Sequence, residues 1–303
     1  MYCVETNNLT YRFSSKEIIL NNINLQVPEG SIYGFLGPNG AGKTTTLRIL
    51  LGLLTKQQGT VNIFGKSFKE NRIEILKNIG SLIESPSLYS QLTAAENLSV
   101  LQKIYQCHKS RIQEVLQIVG LTETKKKIVG HFSLGMKQRL SIAIAMLHNP
   151  SLLLLDEPVN GLDPTGIMEI RILLKKINSE QGVSIIISSH LLSEIEKLVT
   201  HIGIINKGNM LFQGTLEALQ HKQKQLSSII IETNNNVHAK EIIERNGVHA
   251  SIINGQIMID IISKHIVSEI NQQLVNNGIE VYQINLLKSD LESIFIDITK
   301  NQI

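Results

Sequence analysis

The chain has 303 residues, room for one large domain or two, and its 42% hydrophobic content is ample for a core. It has no Trp and only 4% aromatic residues, which argues against base stacking as a main activity. The net charge of +3 divides unevenly: residues 226–303 hold five Lys/Arg against nine Asp/Glu, or −4, so the remainder carries +7. A basic body with a mildly acidic tail suits nucleotide handling better than duplex binding.

Cys3 and Cys107 are the only cysteines and neither belongs to a CxxC pair, so no metal or redox motif is present and a reducing cytosol is the simplest context. The N-terminal stretch MYCVETNNLTYRF has no basic segment followed by an apolar one, so it is not read as a signal peptide. No run approaches the ~18 apolar residues of a membrane span.

In chain order, Ile32–Leu36 reads as a strand ending at a Gly-rich loop, and Thr44–Leu54 as the helix that follows. The loop Gly37-Pro38-Asn39-Gly40-Ala41-Gly42-Lys43-Thr44-Thr45 matches GxxxxGK[ST] in the strand–loop–helix setting that gives the pattern its meaning. Its glycines let backbone N–H groups turn toward phosphate, and the helix N-terminus adds partial positive charge. Lys43 can reach the β/γ oxygens, and the Thr44 hydroxyl can ligate Mg²⁺. Further on, IGSLIESPSLY places Glu84 between an apolar strand and a Ser-Pro turn. Thr93-Ala94-Ala95-Glu96 has capping-box spacing and opens a helix through about Tyr105. Helical pieces broken by Gly120, Gly130 and Gly135 fill 108–147, making a helical insert over about 88–150. Ser133 and Gly135 leave the N-terminus of one of these helices open to an anion.

Ser151–Leu155 and Val183–Ser188 are continuous apolar runs, as in parallel strands buried on both faces. Asp156 emerges at the end of the first, where it can hold Mg²⁺ through water, and Glu157 beside it can polarise an attacking water. Gly161-Leu162-Asp163-Pro164 follows closely, and His190 ends the second run. Residues 206–215 look like a last hairpin, and the polar stretch 219–227 like a linker. Beyond it come strands at Ser228–Glu232, Ala250–Ile253, Gln256–Ile262 and Glu280–Leu286. Helices are expected at Ala239–Arg245, along the Ile266/Ile270/Leu274 stripe, and after Ser289. Asn254-Gly255 is a strong hairpin signal. The order βαββαβ suggests a small split-βαβ domain.

The ordered motifs over about residues 2–218 resemble the ATP-binding subunits of ABC transporters. Ser133-Leu134-Gly135-Met136 is similar to that family's signature, with Leu134 and Met136 departing from the usual Gly and Gln. Gly161-Leu162-Asp163 resembles its D-loop, and His190 its γ-phosphate-sensing histidine. The expected fold is therefore α/β: a P-loop ABC ATPase core with a helical subdomain (1–218), a linker (219–227) and a small C-terminal α+β domain (228–303). The resemblance implies ATP and Mg²⁺ as cofactors, and a homodimer in which Ser133 and Gly135 of one copy cover the nucleotide of the other. It further implies an integral membrane permease as partner, a location at the cytoplasmic face of the membrane and no nucleic-acid partner. Phe13 matches the aromatic that stacks on adenine, with Tyr11 as runner-up. Glu84 stands where most of the family has a Gln touching Mg²⁺ or the attacking water. It either keeps that metal contact or is a neutral replacement. Glu84, the SLGMKQR form and the single small C-terminal domain resemble ATPases of lantibiotic-immunity and bacitracin-resistance exporters, so peptide-antibiotic export is the implied activity. The competing reading is a soluble ABC ATPase acting on nucleic acid or ribosomes. Against it, only about 110 residues separate the two ATP motifs, with no sustained heptads between them, and one ATPase cassette is present rather than two.

Overall fold

The computed structural model describes residues 1–14, 17–55, 57–83, 88–225, 228–260 and 263–287. Glu84, the end of the Gln256–Ile262 strand expectation and the helix expected after Ser289 lie outside them. The chain forms two compact units, Met1–Leu216 and a second from Glu217 onward.

The first unit begins with β1 (Tyr2–Arg12), β2 (Ile18–Ile23), β3 (Gln26–Pro28), β4 (Ile32–Leu36) and α1 (Lys43–Leu50). It continues through β5 (Gln58–Ile63), β6 (Lys66–Ser67), α2 (Phe68–Leu76) and β7 (Ile79–Leu82). Three helices follow: α3 (Ala94–Tyr105), α4 (Ser110–Ile118) and α5 (Leu134–Met146). The rest is β8 (Leu152–Asp156), α6 (Pro164–Gln181), β9 (Ser184–Ser189), α7 (Leu192–Ile195), β10 (His201–Asn206), β11 (Asn209–Thr215) and the start of α8 (Leu216–Gln225).

Two sheets organise this unit. The central one runs β11-β10-β4-β9-β8-β7, parallel except at the β11 edge. Every residue of β4 and β9, and Leu152–Leu155 of β8, is buried, as strands covered on both faces must be. The other sheet is antiparallel, β2-β1-β5-β6 with β3 on β1. It was not anticipated, because the eleven residues of β1 alternate poorly. Register slips against both β2 and β5, and Asn8 sits at φ 51°. Buried Thr6 helps hold the sheet, its hydroxyl donating to Ile23 O and accepting from Leu25 N, each at 2.8 Å.

Helix α1 is shorter than expected. It stops at Leu50 rather than Leu54 because Gly52 takes the left-handed conformation (φ 66°), and the Gly52 and Leu53 N–H groups fold back onto Ile49 O and Arg48 O. Helix α3 starts as the capping box requires. Glu96 N donates to Thr93 Oγ1 at 3.2 Å, while Glu96 Oε2 accepts from Thr93 N at 2.7 Å. Thr93→Ala should cost about 1 kcal/mol and lower the melting temperature by about 2–4 °C. Differential scanning fluorimetry beside a urea titration measures it, and an unchanged midpoint would show that the cap contributes nothing.

The stretch 219–227, expected as a polar linker, is helical as far as Gln225, within α8 (Leu216–Gln225), which holds strong helix formers and neither Gly nor Pro. The second unit contains β12 (Ser228–Thr233), α9 (Asn236–Arg245), β13 (Ala250–Ile253), β14 (Gln256–Asp260), α10 (Lys264–Asn276) and β15 (Val281–Leu287). Its antiparallel sheet has the order β13-β14-β12-β15, the arrangement a split βαβ produces. Ile229, Ile231, Ile257 and Ile259 share one face and form a core with Ile242, Ile243, Ile270 and Leu274 of the helices. Asn254 (φ 51°) and Gly255 (φ 76°) make the tight turn between β13 and β14.

Candidate functional site

Strands β4, β9 and β8 are neighbours, and their C-terminal ends bring the candidate site residues together. The phosphate loop leaves β4, exposes Asn39 and Gly40 at its tip, and buries Ala41, Gly42 and Lys43 as α1 begins. Thr44 and Thr45 are half-buried. Gly42, the N-cap, has φ 111°, where any side chain is strained, and a Cβ there would stand 2.5 Å from Leu20 Cδ2, which would have to move. It provides no side-chain cap to α1, whose first N–H groups point to the loop as an anion seat.

Lys43 is 6% exposed. Its ammonium donates to Gly37 O at 2.6 Å and Pro38 O at 3.3 Å, and lies 3.5 Å from Glu157 Oε1. Burial lowers its pKa, and the Glu157 carboxylate opposes that shift, with Asp156 contributing less. Glu157 Oε2 in turn accepts from His190 Nδ1 at 2.9 Å. One half-buried carboxylate therefore bridges the loop cation and the imidazole at the end of β9.

Asp156 lies beside the loop from the other side. Its Oδ2 accepts from Thr44 Oγ1 at 2.7 Å and its Oδ1 from Ser188 Oγ. A hydroxyl and a carboxylate side by side form a hard-oxygen pair that fits Mg²⁺, which takes few protein ligands and completes its shell with water and phosphate. Among the described residues no group of three or more His, Cys, Asp or Glu could hold a metal.

The signature residues sit elsewhere on the unit. Ser133 caps α5 by accepting from Met136 N at 3.3 Å, and Asp163 caps α6 by accepting from Gly166 N at 3.0 Å. Both helix starts open on one groove lined by Ser133, Leu134, Gly135, Met136 and Gly161–Asp163, and no phosphate-loop residue lines it. Leu134 is 53% exposed there. Sequence reasoning brought these two clusters onto one protein, and the structure keeps them apart within a single chain. Phe13 is 76% exposed just after β1, whereas Tyr11 packs partly into the core. Sequence reasoning missed Ser188 altogether. Its position opposite Asp156 is a matter of register between strands, which no local pattern reveals.

Comparison with known proteins agrees with this geometry. The ABC transporter family model matches residues 20–160. The bacitracin transport ATP-binding protein BcrA of Bacillus licheniformis is 44% identical over 304 aligned positions, covering 97% of this chain and 96% of that protein. The lantibiotic transport ATP-binding protein SrtF of Streptococcus pyogenes is 42% identical over 216 residues, 71% of this chain and 93% of that protein. Among solved structures, cbiO1 from Clostridium perfringens, part of the cbiONQ ABC transporter complex, superposes with a TM-score of 0.67 at 26% identity. It covers 73% of this chain and 91% of its own. The ATP-binding cassette MJ0796, solved as a post-hydrolysis dimer with ADP and Pi, gives 0.62 at 28% identity, over 70% of this chain and 98% of that one. The phosphate loop, the strand-end carboxylates and the full-length likeness lead to one conclusion: this chain belongs to the ATP-binding proteins of ABC transporters and is an ATPase.

Proposed function

We propose that the chain hydrolyses ATP as a head-to-tail homodimer and powers a separate integral membrane permease that exports a peptide antibiotic of the bacitracin or lantibiotic type. The observation that carries the dimer is the separation of the two clusters. Lys43, Thr44, Asp156, Glu157 and His190 form one half of a nucleotide site. The Ser133–Met136 groove with Gly161–Asp163 forms another half that only a second copy can bring to it. Closure surrounds the γ-phosphate with helix N–H groups and shuts out bulk water.

In this reading the loop from Gly37 to Thr45 cradles the phosphates, with Lys43 paired to the β/γ oxygens and Phe13 against the adenine. Thr44 and Asp156 would hold Mg²⁺, which would supply positive charge against the phosphates during hydrolysis. Glu157 orients and accepts a proton from the attacking water, and His190, held by Glu157 through Nδ1, has Nε2 free to reach the γ-phosphate. Glu84 is the remaining candidate around the metal. Residues 1–218 make up the ATPase domain and 228–303 an accessory domain; the SrtF likeness, 216 residues long, matches the length of the first unit.

Peptide export is supported by the names of the BcrA and SrtF relatives. Among the described residues no helix is long and apolar enough to cross a membrane. In this reading a partner permease supplies the membrane path, and the chain works at the cytoplasmic face. Cells expressing the chain with its permease should survive several-fold more bacitracin, or another peptide antibiotic of this class, than cells carrying Glu157→Gln. The chain should also co-purify with that permease from detergent-solubilised membranes. Recovery with ribosomal RNA instead, and no change in peptide tolerance, would favour the soluble ATPase reading.

A further inference from the structure

The apolar run of β9 ends in Ser188-Ser189-His190, and both serines are fully buried. A buried hydroxyl among Ile side chains is tolerated only when hydrogen-bonded. The two are bonded to different things. Ser189 Oγ serves its own loop: its one proton lies between two acceptors, Leu191 O and Glu194 Oε2 at 3.0 Å each, and its oxygen accepts from Leu191 N at 3.1 Å. Ser188 Oγ faces β8 instead. It donates to Asp156 Oδ1 and accepts from the Glu157 N–H at 2.9 Å.

That pair of bonds follows from register. Asp156 and Ser188 are direct partners across the parallel β8–β9 pair. With Thr44 Oγ1 on its other oxygen, the Asp156 carboxylate is fixed between two hydroxyls from opposite sides. Glu157 has φ 47°, a left-handed conformation that side chains other than Gly and Asn rarely adopt. It turns the Glu157 carboxylate back toward Lys43 and His190. The Ser188 hydroxyl sits on the N–H of that strained residue.

We propose that Ser188 is a positioning residue for ATP hydrolysis: one hydroxyl sets the plane of the Asp156 carboxylate and the backbone turn of Glu157 together. This rests on the roles of Asp156 and Glu157 given above. Ser188 acts only through those two carboxylates. Removing its oxygen leaves Asp156 Oδ1 and the Glu157 N–H without their shared partner, so both functional side chains loosen at once while the phosphate loop is untouched.

The test uses the full chain with Ser188→Ala, Ser188→Thr and Asp156→Ala. Binding of a fluorescent ATP analogue is titrated in EDTA and then against Mg²⁺, ATPase rates give kcat and KM, and melting curves are recorded. Ser188→Ala should match wild type in EDTA, need about fivefold more Mg²⁺ for half-maximal response, and lose about tenfold in kcat with little change in KM. Ser188→Thr keeps the hydroxyl on a residue suited to strands and should recover most of both. Asp156→Ala should abolish the Mg²⁺ response. If Ser188→Ala merely melts lower while its Mg²⁺ curve and kcat stay at wild type, and Asp156→Ala behaves as stated, the hydroxyl is structural and the proposal is overturned. If Asp156→Ala itself keeps the wild-type Mg²⁺ response, the metal assignment beneath the proposal has failed, and the proposal with it.

Discussion

Glu157→Gln should bind ATP with at least wild-type affinity and hydrolyse it ~10²-fold more slowly or worse, a loss of roughly 2.7 kcal/mol in transition-state stabilisation. The amide keeps the length of the side chain but cannot take a proton from water. The structure adds a second effect. Glu157 Oε1 lies 3.5 Å from Lys43, where it competes with phosphate for the loop cation. Removing the charge frees Lys43, so the variant should also hold ATP longer and accumulate as a nucleotide-bound dimer on size-exclusion chromatography. Turnover within twofold of wild type in the purified variant would remove Glu157 from the chemistry.

Lys43→Ala should have the opposite signature, with binding lost first. A hydrogen bond to a charged group contributes about 1.5–3 kcal/mol, so the ATP dissociation constant should rise at least ~10-fold. Hydrolysis should fail at concentrations that saturate wild type, and isothermal titration calorimetry separates this from a purely catalytic defect. Glu157, 21% exposed, also loses its cation, which should lower the melting temperature of the nucleotide-free protein. ATP binding at wild-type affinity would contradict the assignment of the loop.

What could be read from the sequence was whatever is encoded over a few neighbouring residues. The phosphate loop, the Leu152–Asp156 strand end, the Thr93/Glu96 cap and the Asn254-Gly255 turn each depend on local spacing, and each appears where expected. The α/β fold followed from the apolar runs. Most of what escaped depends on tertiary partners. The ladder of β1 is bulged, so its alternation is scrambled. The helix at Leu216–Gln225 looked like a linker because its polarity outweighed its propensity. Ser188 was invisible for a deeper reason. Its chemistry comes from standing opposite Asp156, thirty-two residues away, and the sequence around it reads only as a strand end.

The order of the central sheet has a consequence for how the protein is born. β4, one of the first strands to be made, is hydrogen-bonded on one side to β9 and on the other to β10. At ribosomal speeds of ~5–20 residues per second, roughly 7–30 s separate the synthesis of Leu36 from that of Ser184. Throughout that interval the backbone N–H and C=O groups along both edges of β4 lack their partner strands, and the phosphate loop has no strand-end carboxylates beside it. Pairing so distant in sequence is slow to form, which makes the nascent chain a customer for chaperones. ATP can therefore stabilise this protein only after the ribosome has passed His190, and truncated nascent chains ending before that point should neither bind nucleotide nor resist protease.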